Sequence, residues 1–138
     1  MPTFVDTNVF VYTFDSEDPA KQAKAQETVS DLSESGELVV STQVLQELYV
    51  TLRRRFVVRL GDDELERGVR RISANPVVQI DVPMILAAIV RVRTARISFW
   101  DALIVEAALT AGASTLLTED LQDGQVFDGV LRVENPFQ

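Results

Sequence analysis

The 138-residue chain contains no cysteine and no histidine. Without cysteine there is no disulfide, no thiolate nucleophile and no zinc–thiolate site. Without histidine there is no serine–histidine triad, no histidine-based acid/base nuclease and no HExxH zinc site. Lysine is nearly absent as well: Lys21 and Lys24 are the only two, both in a polar segment. Schiff-base chemistry and a lysine-dependent phosphate loop are therefore not expected. No apolar run is long enough to span a bilayer, and no charged leader precedes an apolar core. The expectation is a cytoplasmic protein without membrane contact. Any chemistry must come from carboxylates, hydroxyls, arginines or a bound cofactor.

What the chain does have is acid. Its net charge is −8, which argues against a general nucleic-acid coat but not against a local site. The basic groups are unevenly spread. Eleven are arginines, and seven of these lie between Arg53 and Arg71. Apolar residues make up 46 % and charged residues 25 %, the mix of an ordinary globular protein, and the length suits one domain over residues 1–138.

Apolar spacing and capping residues mark the elements. Phe4-Val5 reads as a short buried strand ending at Asp6. Val9 to Tyr12 are ambiguous, since β-branched and aromatic residues favour strand. Asp18-Pro19 starts a helix to about Ser35, stopped by Gly36. Leu38-Val39-Val40 is a second strand. Ser41 caps a helix through Phe56, with Val44, Leu45, Leu48, Leu52 and Phe56 at helical spacing. After Gly61, Asp62 or Asp63 caps another helix, with Leu65, Val69 and Ile72 on one face. Asn75-Pro76 turns into a strand over Val77 to Ile80. Pro83 opens a helix with Ile85, Ala88, Ile89 and Val92, and Ser98 caps one from Phe99 to about Ala111. Thr115 to Thr118 is a fourth strand and Leu131 to Val133 a fifth. Short apolar strands alternating with helices imply an α/β domain with a mainly parallel sheet of four to five strands.

In such sheets ligands bind beyond the carboxyl ends of the strands. Asp6 ends the first strand, Glu47 lies in the helix after the second, Asp101 opens the helix capped by Ser98, and Glu119, Asp120 and Asp123 follow the fourth strand. Each has a plain reading alone. Asp6 can form a turn, Glu47 can face solvent, Asp101 completes an S-x-x-D capping box, and "TEDLQDG" can be a loop. Together, carboxylates at one sheet edge repel and must be neutralised by protons or cations. With no histidine or cysteine, the fitting partner is a hard divalent cation, Mg²⁺ or Mn²⁺. Such an ion activates water and shields a phosphoryl group, which points to phosphodiester hydrolysis.

"FVDTNVFVY", "STQVLQELY", "SFWDALIVEAA" and "LLTEDLQDG", in this order and spacing, resemble the motifs of PIN-domain ribonucleases. The similarity is greatest to the VapC toxins of bacterial toxin–antitoxin pairs. It runs nearly end to end. It implies a three-layer α/β/α sandwich that cuts single-stranded RNA with Mg²⁺ or Mn²⁺. It also implies a homodimer and a small cognate antitoxin that blocks the site. By position, Asp6 and Asp101 match the acids that would ligate metal directly. Glu47 and Asp120 would complete the pocket through waters or at a second metal. Asn8 and Thr118 match supporting polar positions, with Asn8 also expected to cap the helix that the resemblance implies at Val9–Tyr12. Asp123 matches an additional acid, and Glu119 competes with Asp120 and Asp123 for the fourth place.

Arg53, Arg54, Arg55 and Arg59 lie one to three turns beyond Glu47. They read either as a solvated face with salt bridges, or as a track for RNA phosphates or for an acidic antitoxin segment. Trp100, next to Asp101, reads either as packing at the helix start or as a stacking platform for an RNA base. A receiver domain would need a lysine near the last strands, and a HAD-like phosphatase a D-x-D at the first; neither is present. A non-catalytic PIN-like module that binds RNA or a protein remains the alternative.

Overall fold

The computed structural model describes residues 1–56 and 59–138. In chain order the elements are β1 (Thr3–Val5), α1 (Thr7–Thr13), α2 (Pro19–Ser35), β2 (Leu38–Ser41), α3 (Thr42–Phe56) and α4 (Asp62–Ser73). They continue with β3 (Val77–Val78), α5 (Val82–Ala95), α6 (Phe99–Thr110), β4 (Thr115–Leu117), β5 (Val126–Phe127) and β6 (Leu131–Glu134). The strands form one sheet in the order β3-β2-β1-β4-β6-β5. All pairings are parallel except β5 with β6. Every residue of β1 and β2 is buried, although successive side chains point to opposite faces. Both faces of the sheet are therefore covered by helices, which makes the three-layer α/β/α arrangement.

The sheet has six strands rather than four to five. The strand missed is β5, two residues long, which returns on β6 through Asp128-Gly129. Both turn residues have positive φ, 52° and 71°, as a tight hairpin of this hand requires, and an Asp-Gly pair is its ordinary signature. The third strand stops at Val78 instead of Ile80, because the Ile80 amide is taken by Thr42 Oγ1 at 3.2 Å.

The caps mostly follow the sequence. Asp18 accepts from the Lys21 amide, and Gly36 closes α2 at φ 76°. Ser41 accepts from the Val44 amide, Asp81 from Met84 and Ser98 from Asp101. Two expectations fail. Gly61, not Asp62 or Asp63, is the N-cap of α4; the two acids sit in its first turn, where they favour the helix dipole instead. Asp6, not Asn8, caps α1, by accepting from the Thr7 amide at 2.7 Å.

The chain leaves β1 toward β2 on one side and reaches β4 on the other, so strand order reverses between β1 and β4. The carboxyl ends of strands that part in this way leave a crevice for ligands. Asp6 and Thr118 line up there, one at the end of each strand.

A candidate acidic site at the switch point

Asp6 is buried, with only 5 % of its surface exposed. It is held from three sides. Oδ1 accepts from the Thr7 amide, and Oδ2 accepts from Thr118 Oγ1 at 2.9 Å and Asn8 Nδ2 at 3.3 Å. Asn8 Nδ2 also lies 3.1 Å from Thr118 Oγ1 and 3.0 Å from Asp120 Oδ2, while its Oδ1 accepts from the Glu119 amide. Thr118, fully buried, accepts in turn from the Asp120 amide. Asn8 and Thr118 thus clasp Asp6 to Asp120.

Glu47 reaches the same place from α3. Its carboxylate accepts from Thr7 Oγ1 at 2.8 Å and from Gln43 Nε2 at 3.4 Å. Asp101 arrives on the first turn of α6, fixed by the Ser98 cap. All four acids line a single cleft of about 570 Å³. Its other walls come from Val11 and Tyr12 of α1, Val50 and Arg55 of α3, and Trp100 and Ile104 of α6.

The electrostatics show that the acids feel one another. Burial pushes the Asp6 carboxyl up to about 7, with Asp120 and Glu47 adding repulsion against the hydrogen bonds that oppose it. The Asp101 carboxyl is also raised, first by burial and then by Asp120 and Glu47. A folded-state value above the unfolded one means that folded Asp6 keeps a proton the unfolded chain has released. Stability without a cation then falls as pH rises between about 4 and 7 and levels off above. Metal-free melts in chelator are thus expected to show a higher Tm at pH 5 than at pH 8. A Tm that climbs over this window would contradict the burial of an acid cluster.

The remaining candidates separate by partner. Glu119 also lines the cleft, with its carboxylate accepting from the Tyr12 hydroxyl at 2.8 Å and pairing with Lys21 at 3.5 Å. Asp123 accepts from the Asn135 amide at 2.8 Å and lies outside the cleft lining, away from the role the resemblance gave it. Asp120 is the one of the three whose carboxylate joins the clasp around Asp6, through Asn8. Of the arginines, Arg53 pairs with Asp62 and Arg59 with Glu17. Arg54 is exposed and does not line the cleft. Only Arg55 reaches it, braced by the buried Asp15 at 3.4 Å. Trp100 is 61 % exposed, packs edge-to-face with Phe99 at the start of α6 and also lines the cleft. Gln43 was not foreseen; a glutamine one turn before a helical glutamate reads as solvated surface.

The donors that face the cleft fit a hard cation and no soft one, since they are carboxylate oxygens with amide and hydroxyl support. Among the described residues, no three acids stand close enough together to grip an ion between them.

A three-layer, mainly parallel-sheet protein with four carboxylates lining a cleft at its switch point is the class that fold and cleft define. A family model described as the PIN domain matches residues 3–123. The chain belongs to the PIN domain family. No curated protein matches it in sequence. Among solved structures, a toxin–antitoxin complex from Klebsiella pneumoniae has TM-score 0.70 at 16 % identity, with 97 % of each chain covered. VapC20 of Mycobacterium tuberculosis, a toxin that cleaves the sarcin-ricin loop, has TM-score 0.59 at 21 % identity, over 83 % of this chain and 86 % of that one. VapBC2 from Rickettsia felis, bound to a DNA fragment from its promoter, has TM-score 0.68 at 15 % identity, over 98 % and 100 %. What the chain shares with them at these identities is the fold, that of VapC toxins.

Proposed function

We propose that the protein is a divalent-metal-dependent endoribonuclease for single-stranded RNA and acts as the toxin of a VapC-type pair. The observation that carries this reading is the convergence of Asp6, Glu47, Asp101 and Asp120 on one cleft, with Asp6 and Asp101 both raised by burial and by the other two acids. Asp6 and Asp101 would hold Mg²⁺ or Mn²⁺ directly. Glu47 and Asp120 would act through waters or at a second ion. When bound, the ion supplies an activated water and neutralises charge on the phosphoryl oxygens.

The protein's own part is orientation. The Thr7 amide, Asn8 and Thr118 fix both oxygens of Asp6. Thr7 Oγ1 and Gln43 steer Glu47. Arg55 brings the cleft a cation for an RNA phosphate, and Trp100 offers a face for a base. A small antitoxin with a basic group for the acids would close the same cleft. The reading covers residues 1–138 as one domain in the cytoplasm.

Incubation of a mixed RNA pool with antitoxin-free protein and Mg²⁺, Mn²⁺ or EDTA tests the function. Cleavage that needs the cation supports it, and cleavage undiminished in EDTA sinks it. RNA binding without cleavage under every condition would favour the non-catalytic module. Arg55→Ala is expected to weaken RNA binding and to flatten its salt dependence by about one unit of log–log slope, while Arg53→Ala and Arg59→Ala leave both nearly unchanged. Filter binding across a salt series measures this; equal losses in all three would return the arginines to a diffuse track.

A homodimer is part of the proposal. Helix α5 exposes Val82, Ile85, Leu86, Ile89 and Val90 along one side. Its acidic cap, Asp81, is at one end and Arg93 at the other. Antiparallel pairing of two copies would bury the apolar side and oppose these charges. Light scattering is expected to give twice the chain mass for the wild type and a monomer for Leu86→Glu/Ile89→Glu. A wild-type monomer would remove the dimer from the proposal.

A further inference from the structure

Gln43 is 4 % exposed and lies on α3 one turn before Glu47. Its Nε2 donates both to Glu47 Oε2 at 3.4 Å and to the Trp100 carbonyl at 3.2 Å. One amide therefore spans from the acid of α3 to the residue preceding Asp101 on α6. Its Oε1 is the one buried side-chain polar atom without a hydrogen-bond partner among the described residues. Rotating the amide half a turn is no remedy. It would set Oε1 against the Glu47 carboxylate and the Trp100 carbonyl, acceptor facing acceptor. A methionine of similar length would fill the same space without stranding an acceptor. Packing alone does not favour glutamine here.

We propose that Gln43 is a positioning residue that sets the spacing between the Glu47 and Asp101 halves of the acidic cleft, through the link from Glu47 to the Trp100 carbonyl. The inference rests on the metal-site reading above and adds to it a cleft-lining residue that acts through Glu47. The orphaned acceptor is tolerated because the donor side of the same amide orients Glu47. Groups that orient ligands from behind commonly change metal affinity or activity by about 10- to 100-fold when removed.

The test is Gln43→Met, with Mn²⁺ binding followed by calorimetry and by electron paramagnetic resonance, beside RNA cleavage and metal-free melting. Expected are a Mn²⁺ affinity lowered by roughly tenfold or more, an altered Mn²⁺ spectrum, and a lowered kcat with KM for RNA changed by less than about twofold. The metal-free Tm should be equal to or above wild type. Gln43→Met on a Glu47→Gln background should add nothing further, because the residue acts through Glu47. A variant that binds Mn²⁺ within about twofold of wild type overturns the inference while leaving the metal site intact. So does a variant that melts well below wild type, since that marks Gln43 as packing. If wild type and Asp101→Asn both fail to bind Mn²⁺, the metal-site reading itself falls, and the inference with it.

Discussion

Asp6→Asn and Asp101→Asn are each expected to lower RNA cleavage at least about a thousandfold, the equivalent of some 4 kcal/mol of transition-state stabilisation. Neither change alters side-chain size, so substrate access stays the same; what is lost is the negative charge that, in the proposed function, would hold a cation against the phosphate. Asp6→Asn should also change stability in a way that a merely damaged fold would not. Wild-type Asp6 is buried with its carboxyl pushed up to about 7, so ionising it in the metal-free fold costs stability at pH 8. Asparagine cannot ionise. It still accepts from the Thr7 amide but loses an acceptor for Thr118 and Asn8, which offsets part of the gain. The metal-free Tm of Asp6→Asn is expected to exceed wild type at pH 8, with the difference shrinking toward pH 5, where wild type is already protonated. Paired cleavage assays and melts over that range would decide it. Retained cleavage, or a Tm difference that does not depend on pH, would remove Asp6 from the site.

Arg91→Met is expected to destabilise the fold by about 3 kcal/mol, the low end of the scale for stripping one partner from a buried ion pair, because this pair is only partly buried. Arg91 of α5 bonds Glu106 of α6 at 2.6 Å, and both side chains are 14 % exposed. The same guanidinium grips Asp128 with two parallel bonds, at 3.2 and 2.9 Å, and lies over the Phe127 ring. Asp128 is half exposed and adds little; the cost comes from stranding Glu106. For a chain of this size the loss corresponds to a fall in Tm of roughly 10 °C. Arg91→Met/Glu106→Met should recover most of it, because a matched apolar pair strands no charge. Denaturant titration of the three proteins measures the cycle. A double variant no more stable than Arg91→Met would mean that packing, not charge, is the source. Since α6 also carries Asp101, the pair helps fix one wall of the cleft.

Most of the architecture was legible because its signals are local. Asp18, Ser41 and Ser98 are caps that short-range chemistry dictates, and β1 and β2 are buried throughout and mostly apolar because both their faces are covered. The exceptions were decided by distant contacts. Val9, Phe10 and Val11 are all buried, since α1 is packed on more than one side, so its pattern carries no helical period. β5 has only two residues and exists by pairing with β6. Asp6 and Asp120 stand just after strands and Asp101 at a helix start, placements that local pattern discloses, whereas Glu47 lies inside α3 and stands out only beside the others. Their neighbours were not legible in this way. Nothing local distinguishes Arg55 from Arg53 or Arg59, whose separation depends on Asp15, Asp62 and Glu17. Nor does a glutamine on a helix disclose that its amide reaches a carbonyl 57 residues on.

The clasp between Asp6 and Thr118 joins positions 112 residues apart, with Asn8 closing onto Asp120 over the same span. No short fragment of the chain can hold it. β1 lacks its second neighbour until β4 arrives, and closing so long a loop precedes any reward from the contacts it makes. During synthesis, then, a nascent chain carries Asp6 and Glu47 long before it has a cleft to put them in. The cleft is thus completed only when the last third of the chain is in place, and refolding with pulsed hydrogen exchange should find the Glu119 and Asp120 amides among the last to be protected.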